Sequence, residues 1–344
     1  MSGRAVDLVV DARRGERISI ELPLTLRTPL PASAAALTLG EWVDLSDPIV
    51  AKGVAVVDAA SRSNPPVQLA ALGGVAHRMR SPSSNAAASG LRRPLHDLDL
   101  ACLHREIRDV RSFLETVHER EGSGLRFFAT DGDRIFNSLG EGRRFRYHMV
   151  VDQRGTSVDL GTVDLLADEF RFCHRIDLRE EVPAARTAHG TLSLATLLLA
   201  KLQFIQRIPA EDAGKVPGRV LEPFGRHEVA IGPESKDVQD ILALLADHPV
   251  AEGPEGISPA RIAELVAADG GLYRTTELNL GMLARSPVLA AVPEPWNGRI
   301  RTGLEQLRSV FGRIVPRKRR TLFGGPWWEE VDAQPSVDGT GTVG

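Results

Sequence analysis

The stretch HDLDLACL, residues 96–103, alternates apolar residues with polar or charged ones. Such alternation is typical of a β-strand that buries one face and exposes the other. Successive side chains of a strand point to opposite faces, so Asp97 and Asp99 are predicted to project together while Leu98 and Leu100 enter the core. Two carboxylates this close repel each other, and a divalent cation such as magnesium relieves the repulsion.

A third acidic residue on a neighbouring strand would complete a site for two metal ions. Asp164, in the sequence VDLL, is flanked by apolar residues, as such a strand position requires. Asp159, which also lies between a valine and a leucine, is the alternative. Two metal ions held by such carboxylates position the attacking and leaving oxygens during phosphoryl transfer. An isolated Asp-x-Asp pattern is common on solvated strands, so it indicates this chemistry only together with a phosphate-binding element.

The glycine pair Gly73-Gly74 is a candidate for that element. It follows the apolar segment VQLAAL, which is predicted to be a strand, and it precedes a stretch with helical character. Glycines let the backbone approach a phosphate closely, and the free N–H groups at the start of a helix favour an anion. A lone Gly-Gly is more often a simple tight turn. The order strand, glycine pair, helix and then a strand with two aspartates is much rarer.

In combination these segments resemble the nucleotidyltransferase superfamily, whose pattern is a glycine pair, two acidic residues one apart on a strand, and a third on a later strand. The matching segments are LGGVAHR, HDLDL and VDLL. The chain looks closest to prokaryotic nucleotidyltransferase-like proteins that are related to abortive-infection toxin nucleotidyltransferases. Further segments carry the similarity, which covers roughly residues 68–330: RIFNSL, RRFRYH, EFRFCHRIDL, LATLLLAKLQ and SKDVQDILALL.

The resemblance assigns roles to the matching residues. Gly73 and Gly74 become contacts of the triphosphate, and the metal ligands and catalytic carboxylates become Asp97, Asp99 and Asp164. The implied reaction moves a nucleoside monophosphate from a nucleoside triphosphate (NTP) to an acceptor hydroxyl, with Mg²⁺ as cofactor. Two other functions stay open: a non-catalytic nucleotide-binding or regulatory protein of the same fold, and a nucleotidyltransferase that modifies a small molecule. The toxin-like relatives also make an antitoxin a candidate partner.

Three residues in the later part of the chain match positions that the toxin-like relatives use around the nucleotide: Lys201, Lys236 and Asp237. Lys201 lies in an apolar helical stretch, where lysine is rarely buried without a partner. Its amine either extends to the surface or faces the triphosphate. Lys236 and Asp237 lie in the first turn of a predicted helix, where an acidic residue also favours the helix dipole. Asp237 therefore has a structural alternative to a hydrogen bond with Lys201 or with the nucleotide.

Two stretches combine arginine with aromatic residues and bear on the acceptor. Residues 143–147 read RRFRY, and residues 313–328 join several basic residues to Trp327 and Trp328. Such groups hold RNA phosphates and stacked bases. The alternative is a solvated basic face with the tryptophans packed on neighbouring helices. These stretches favour tRNA or another RNA as the acceptor.

The order of the predicted elements indicates an α+β protein, with a nucleotidyltransferase-fold mixed sheet and flanking helices followed by a helical module. Residues 67–180 would form the catalytic core and residues 181–330 the helical module. Residues 1–66 are a segment of unknown role, and the small, polar tail 331–344 is expected to be disordered.

The overall composition excludes several classes of protein. The chain has 344 residues, of which 42 % are hydrophobic and 25 % charged, and its formal net charge of −3 provides no global field for DNA or a membrane. Its two cysteines cannot build a disulfide framework or a cysteine zinc site. The longest apolar run, around residues 194–200, is far shorter than the ~20 residues that span a bilayer. The first ten residues lack the apolar centre of a signal peptide. We expect a cytoplasmic protein without a membrane partner.

Overall fold

A computed structural model describes residues 5–11, 16–21, 47–121, 125–140, 142–153, 156–185, 189–216, 219–224, 226–316 and 327–329. In these residues the protein has a mixed α+β fold, as its sequence predicts. The strands are β1 (Ala5–Asp11), β2 (Glu16–Glu21), β3 (Ala70–Leu72), β4 (Asp97–Cys102), β5 (Leu125–Phe128), β6 (Arg144–Gln153), β7 (Thr156–Ala167), β8 (Glu169–Arg171), β9 (Arg175–Asp177), β10 (Gln206–Pro209), β11 (Leu221–Phe224) and β12 (Glu228–Ile231). The helices are α1 (Pro48–Arg62), α2 (Gly73–Arg80), α3 (Ile107–Glu121), α4 (Asp131–Leu139), α5 (Glu181–Ala184), α6 (Leu194–Leu202), α7 (Ser235–Asp247), α8 (Pro259–Ala268), α9 (Gly270–Leu283), α10 (Pro287–Ala291) and α11 (Trp296–Phe311).

The main sheet has five strands in the order β3-β4-β7-β6-β5. It is a mixed sheet, because β4 and β7 run parallel while the other neighbouring pairs run antiparallel. The alternation predicted for β4 is confirmed: Leu98 and Leu100 are fully buried, Asp97 is exposed and Asp99 is half-buried. Burying each leucine contributes about 2 kcal/mol, which fixes the face on which the two aspartates lie.

Helix α1 packs in the same core as the main sheet, although it precedes residue 66. The side chain of Asp47 caps its start by accepting hydrogen bonds from the first turn. Its apolar residues belong to the hydrophobic cluster that contains β4 and β7. Gly53 permits the close contact, because a Cβ there would lie 2.8 Å from a methyl group of Val75 and 2.9 Å from one of Leu98. The predicted division at residue 66 therefore falls between two elements of one packed core.

One local prediction within the core is wrong. The pattern of residues 126–139 predicts strands joined by turns, but the structure has the short strand β5 followed by helix α4. The Thr130 side chain accepts from the backbone N–H of Asp133, and the Asp133 side chain accepts from the N–H of Thr130. This reciprocal capping box satisfies two donors that a helix start would leave free, so it favours a helix here.

A second difference lies in the part of the chain predicted to be helical. The sequence predicts a helix over residues 191–208, but α6 ends at Leu202. The side-chain amide of Asn279 on α9 donates hydrogen bonds to the carbonyl oxygens of Leu202 and Phe204, both at 2.7 Å. These bonds satisfy carbonyl groups at the end of α6 and hold the backbone that follows it. β10 then begins a three-stranded antiparallel sheet in the order β10-β12-β11. These four-residue strands are too short for their sequence pattern to reveal.

Helix α2 connects the main sheet to the helices that follow. It starts at the end of β3 and packs against β4, α6 and α7. Helices α6, α7, α8, α9 and α11 contact one another and share the hydrophobic cluster of the main sheet. Over the ranges that the structure describes, no helix has both the length and the apolar character to cross a membrane. The tail 331–344 lies outside the described residues.

Candidate functional site

Three aspartates meet on one face of the main sheet. In the parallel pair β4–β7, Asp99 lies directly opposite Asp164, and Asp97 lies opposite Thr162. Residues that are paired across two strands share a face, so Asp97, Asp99 and Asp164 form one group, called the acidic cluster below. The structure therefore brings together the two aspartates of the DLD motif and the favoured third carboxylate.

The glycine pair is part of the same site. β3 pairs with β4 so that Leu72 is opposite Asp99, and α2 starts at the next residue, Gly73. Gly73 has a φ of +63°, and a Cβ built on it would lie 1.9 Å from Oδ2 of Asp99. Only glycine permits this combination of a left-handed backbone and contact with a carboxylate. The start of α2, which can bind an anion, thus touches the acidic cluster.

Asp99 carries a charge that its surroundings disfavour. Burial raises the pKa of Asp99 well above its usual value, and the negative charges of Asp97 and Asp164 raise it further. The positive charges of Lys201 and Arg144 oppose this shift without cancelling it. An additional cation beside Asp99 would therefore be stabilised by the acidic cluster.

Asp164 has the opposite environment. Its Oδ1 accepts a hydrogen bond of 2.7 Å from Nε of Arg146, and its Oδ2 accepts bonds of 2.9 Å from both Arg146 and Arg144. Burial by itself would raise the pKa of Asp164, but the hydrogen bonds from Arg146 and the charge of Arg144 lower it below the usual value. The side chain of Asp164 is only 13 % exposed, so both arginines hold a nearly buried carboxylate.

Asp159, the alternative third carboxylate, lies farther along the hairpin. The β6–β7 register shifts between Met149 and Val150, and Asp159 is on the far side of this bulge from Asp164. Its carboxylate is half exposed and accepts from the ring of His148 at 2.8 Å and from the backbone N–H of Gly161 at 2.9 Å. The pairing of β7 with β4 begins only at Thr162, so Asp164 and not Asp159 lies opposite Asp99.

Lys201 is enclosed by two aspartates of α7. Its amine lies 2.6 Å from Oδ1 of Asp237 and 3.4 Å from Oδ2 of Asp240, and its side chain is 17 % exposed. Burial would lower the pKa of Lys201, but the two aspartates raise it above the usual value, so the amine is charged. Of the alternatives for Asp237, the structure has the hydrogen bond with Lys201. Lys236, by contrast, is half exposed and pairs with Glu234 at 3.1 Å.

Arg93 is a site residue that the sequence did not single out. Its guanidinium donates two hydrogen bonds to Asp240, at 2.9 and 2.7 Å, and both side chains are almost fully buried. A Cβ on Gly74 would lie 2.6 Å from Nη2 of Arg93, so the guanidinium packs directly against the glycine pair. Arg93 thus connects α7, whose aspartates bind Lys201, to the start of α2. The only local signal for it is an arginine four residues before Asp97.

His77 lies below this network on α2. It is 1 % exposed, and among the described residues neither of its ring nitrogens has a hydrogen-bond partner. Burial lowers the pKa of His77 to about 4, the positive charges of Lys201 and Arg93 act in the same direction, and Asp240 opposes them. The ring of His77 is therefore neutral at neutral pH.

The oxygen donors of the acidic cluster fit a magnesium ion at two of the three positions. Within the described part of the chain, no group of three or more His, Cys, Asp or Glu side chains is arranged to hold a metal ion. Asp97 and Asp99 offer carboxylates with uncompensated charge on an accessible face, and magnesium takes its other ligands from water and phosphate. Asp164 would have to release Arg146 or Arg144 before it could bind a metal with the same oxygens.

The two basic-aromatic stretches have different surroundings. Arg144 and Arg146 face the acidic cluster, whereas Phe145 and Tyr147 alternate into the core and are buried. Trp328 is also buried, and Trp327 donates to the hydroxyl of Thr275 at 3.0 Å. The two tryptophans therefore pack against the protein, Trp328 buried and Trp327 partly buried. Residues 317–326, which include the basic run 317–320, lie outside the described residues.

Comparison with known proteins identifies no family for this chain. No protein-family model matches the chain, and no curated protein has a similar sequence at a significant level. The chemistry is therefore argued from the geometry: an acidic face, a glycine-lined helix start and a buried cation lie within one contiguous group of elements. That arrangement can bind a phosphate chain together with a divalent cation.

Proposed function

We propose that this protein is a metal-dependent nucleotidyltransferase with the nucleotidyltransferase fold, which moves a nucleoside monophosphate from an NTP to an acceptor hydroxyl. The observation that carries the proposal is the contact between Gly73 and Asp99 within a cluster of three aspartates. A site for a phosphate chain and a site for a cation then coincide. Nucleotidyl transfer needs both at the same place, because the phosphates and the metal neutralise each other.

The glycine pair and Lys201 would bind the triphosphate. The first backbone N–H groups of a helix have no partner within the helix, so those at the start of α2 can donate to phosphate oxygens, and glycine leaves no side chain in the way. Lys201 supplies a positive charge close enough to the acidic cluster to influence Asp99. Asp237 and Asp240 hold its amine in one place, so little side-chain entropy is lost when a nucleotide binds.

The acidic cluster would position the reacting groups. Magnesium, bound by Asp97 and Asp99 and by phosphate oxygens, would neutralise charge on the phosphates. The acceptor oxygen attacks the α-phosphorus, the bond to the β-phosphate oxygen breaks, and pyrophosphate leaves. A carboxylate of the cluster takes the proton of the acceptor hydroxyl. Catalysis in this scheme comes from positioning and from preorganised charge.

The direct test is transfer of labelled nucleotide by purified protein. Each α-³²P-labelled NTP is incubated with Mg²⁺ and total RNA, and the label is followed into RNA or smaller products. Asp97→Asn should reduce transfer by at least about 100-fold, the scale of loss when a preorganised electrostatic group is removed. Asp109→Asn, an exposed aspartate on α3, is the matched control and should retain activity. Undiminished transfer by Asp97→Asn would reject the proposed site.

A second candidate is a nucleotide-binding protein without turnover. It is favoured by one observation, the occupation of both oxygens of Asp164 by arginines. This candidate predicts that the protein binds Mg²⁺ and an NTP with a measurable affinity but forms no labelled product. The same incubation, combined with a filter-binding measurement of the labelled NTP, separates the two functions.

A further inference from the structure

Two arginines line the edge of the acidic cluster that faces away from the glycine pair. Arg144 and Arg146 are two residues apart on β6, so their side chains leave the same face of the sheet. Both donate to Asp164, and the bond from Arg146 is bidentate. Asp164 therefore brings two guanidinium groups side by side.

An aromatic ring fixes the two guanidinium groups from the other side. The central carbon of Arg144 lies 4.8 Å from the centre of the Phe136 ring, and that of Arg146 lies 4.7 Å from the same centre. Both distances are within the range in which a cation is attracted to the face of an aromatic ring. The ring and the carboxylate together restrict two side chains that would otherwise be mobile.

The two arginines keep donors for another anion. Their side chains are 40 % and 34 % exposed. Arg146 uses Nε and Nη2 for Asp164, and Arg144 uses Nη2, so the Nη1 groups are not needed for these bonds. A guanidinium has five N–H donors in a fixed planar array, which suits two oxygens of a phosphate.

The arginines and Lys201 belong to opposite sides of the acidic cluster. Across the sheet the order is β3 with the glycine pair, β4 with Asp97 and Asp99, β7 with Asp164, and β6 with the arginines. Lys201 packs on the glycine side through α2, yet both Lys201 and Arg144 influence Asp99. Nucleotidyl transfer joins two molecules at the cluster, and the glycine side already has the features that bind a triphosphate. The arginine side is left for the other molecule.

We propose that Arg144 and Arg146 form a subsite for a phosphate group of the acceptor, with Asp164 and Phe136 as positioning residues. This inference rests on the proposed function in that it names the partner of the triphosphate as a phosphate-bearing acceptor. A phosphate next to the attacking hydroxyl would place that hydroxyl above the acidic cluster. Asp164 then contributes by orienting two guanidinium groups, in addition to its charge.

Binding of an acceptor fragment tests the subsite without any need for turnover. The probes are a 5′-fluorescein-labelled RNA of 12 nucleotides, followed by fluorescence anisotropy, and cytidine 5′-monophosphate as a competitor. Arg144→Gln/Arg146→Gln should bind the RNA at least about 10-fold more weakly, and its dependence of log K on log salt should be smaller by about 1.4, which is two contacts at ~0.7 each. Binding of an ATP analogue with Mg²⁺ should weaken less than binding of the RNA.

A matched variant and a conservative variant keep the result interpretable. Arg105→Gln/Arg179→Gln removes the same charge from two exposed arginines elsewhere and should leave RNA binding unchanged. Arg144→Lys/Arg146→Lys keeps a charge beside Asp164 but loses the planar array, so it should fold like the wild type and bind RNA with intermediate affinity. Thermal unfolding of all variants identifies any that do not fold.

Each outcome decides for or against the subsite. Arginine-dependent binding of the RNA supports it with a polynucleotide acceptor, and arginine-dependent displacement by the mononucleotide supports it with a small phosphorylated acceptor. Equal RNA binding by the wild type and the glutamine variant, no binding of either probe, or selective loss of the ATP analogue would overturn it. If the wild type transfers no nucleotide but binds RNA through the arginines, the subsite stands and the proposed function fails.

Discussion

Asp99 and Asp164 face each other on parallel strands, but the two halves of the sheet treat them differently. On the β3–β4 side, Asp99 lies against the glycine backbone, and burial together with the neighbouring carboxylates raises its pKa. On the β7–β6 side, two arginines hold Asp164 and lower its pKa. The register of β4 and β7 places Asp99 and Asp164 directly opposite each other. The strand on the outer side of each one, β3 or β6, determines whether a positive side chain compensates its charge. An uncompensated carboxylate such as Asp99 indicates where a bound cation would be stabilised. A compensated carboxylate such as Asp164 indicates where the protein itself supplies the positive charge.

Two buried lysines also differ in whether their charge is compensated. Substituting the uncompensated lysine has the largest expected effect on the free energy of unfolding. Lys201 is held by two aspartates, whereas the amine of Lys52 on α1 is fully buried and has no hydrogen-bond partner among the described residues. Burial lowers the pKa of Lys52 from 10.5 to about 8. Lys52→Met should therefore raise the free energy of unfolding at pH 7 by roughly 3 kcal/mol, because the charged amine no longer has to be buried.

The pH dependence of this effect has a definite sign. Below pH 8 the lysine is protonated in both the folded and the unfolded wild type, so the whole cost is present. Between about pH 8 and 10.5 only the unfolded state keeps the proton, so wild-type stability rises with pH and the advantage of Lys52→Met shrinks. Urea unfolding across this range measures the difference, with the half-exposed Lys236→Met as control. A constant difference would contradict the account of Lys52.

Gly73 tests the contact on the uncompensated side. Gly73→Ala should lower the free energy of unfolding by about 2–3 kcal/mol and weaken NTP binding, because it adds a clash with Asp99 to the cost of a left-handed backbone. Gly90→Ala is the matched control: its φ is +71° and no atom lies within 4 Å of the added Cβ. That variant should lose only about 1 kcal/mol and bind the nucleotide normally. Equal losses in the two variants would show that the contact with Asp99 contributes nothing.

The two facing acids should respond to neutralisation with opposite signs. Asp99→Asn removes a repelled charge and should raise the free energy of unfolding by about 1 kcal/mol. Asp164→Asn leaves two arginines without their carboxylate and should lower it by about 2 kcal/mol, less than for a fully buried pair because the arginines are partly exposed. Urea unfolding of both variants beside Asp109→Asn gives the comparison, and a loss in both would remove the distinction between the two sides.

Local patterns predicted the parts of the site that local physics determines. The alternation in β4 placed Asp97 and Asp99 on one face. Apolar neighbours made both Asp164 and Asp159 candidates for the third carboxylate, and only the register of β4 and β7 places Asp164 opposite Asp99. The glycine pair indicated a site only in combination with the strand before it and the two aspartates after it, because a lone Gly-Gly is more often a simple turn. The hydrogen bond from Lys201 to Asp237 was one of the alternatives for Asp237, the other being an acidic residue favoured by the helix dipole.

The sequence did not predict which residues compensate the charges of the site. Arg93 and Asp240 are 147 residues apart, and Arg146 reaches Asp164 only because a hairpin with a bulge sets the register of β6 and β7. Charge compensation depends on such long-range pairing, whereas the alternation of a strand depends on neighbours two residues away. The cap on α4 is local, since Thr130 and Asp133 are three residues apart, but the strand-like pattern of residues 126–139 concealed it. The strands β10, β11 and β12 were missed because each has only four residues.

The most direct test of the central claim is calorimetric titration of ATP into the wild type and Asp97→Asn, each with Mg²⁺ and with EDTA. If Asp97 and Asp99 share a cation with a phosphate chain at Gly73, the wild type should bind ATP at least about 10-fold more tightly with Mg²⁺ than with EDTA, and Asp97→Asn should lose that difference. ATP binding that is the same in all four titrations would contradict the claim.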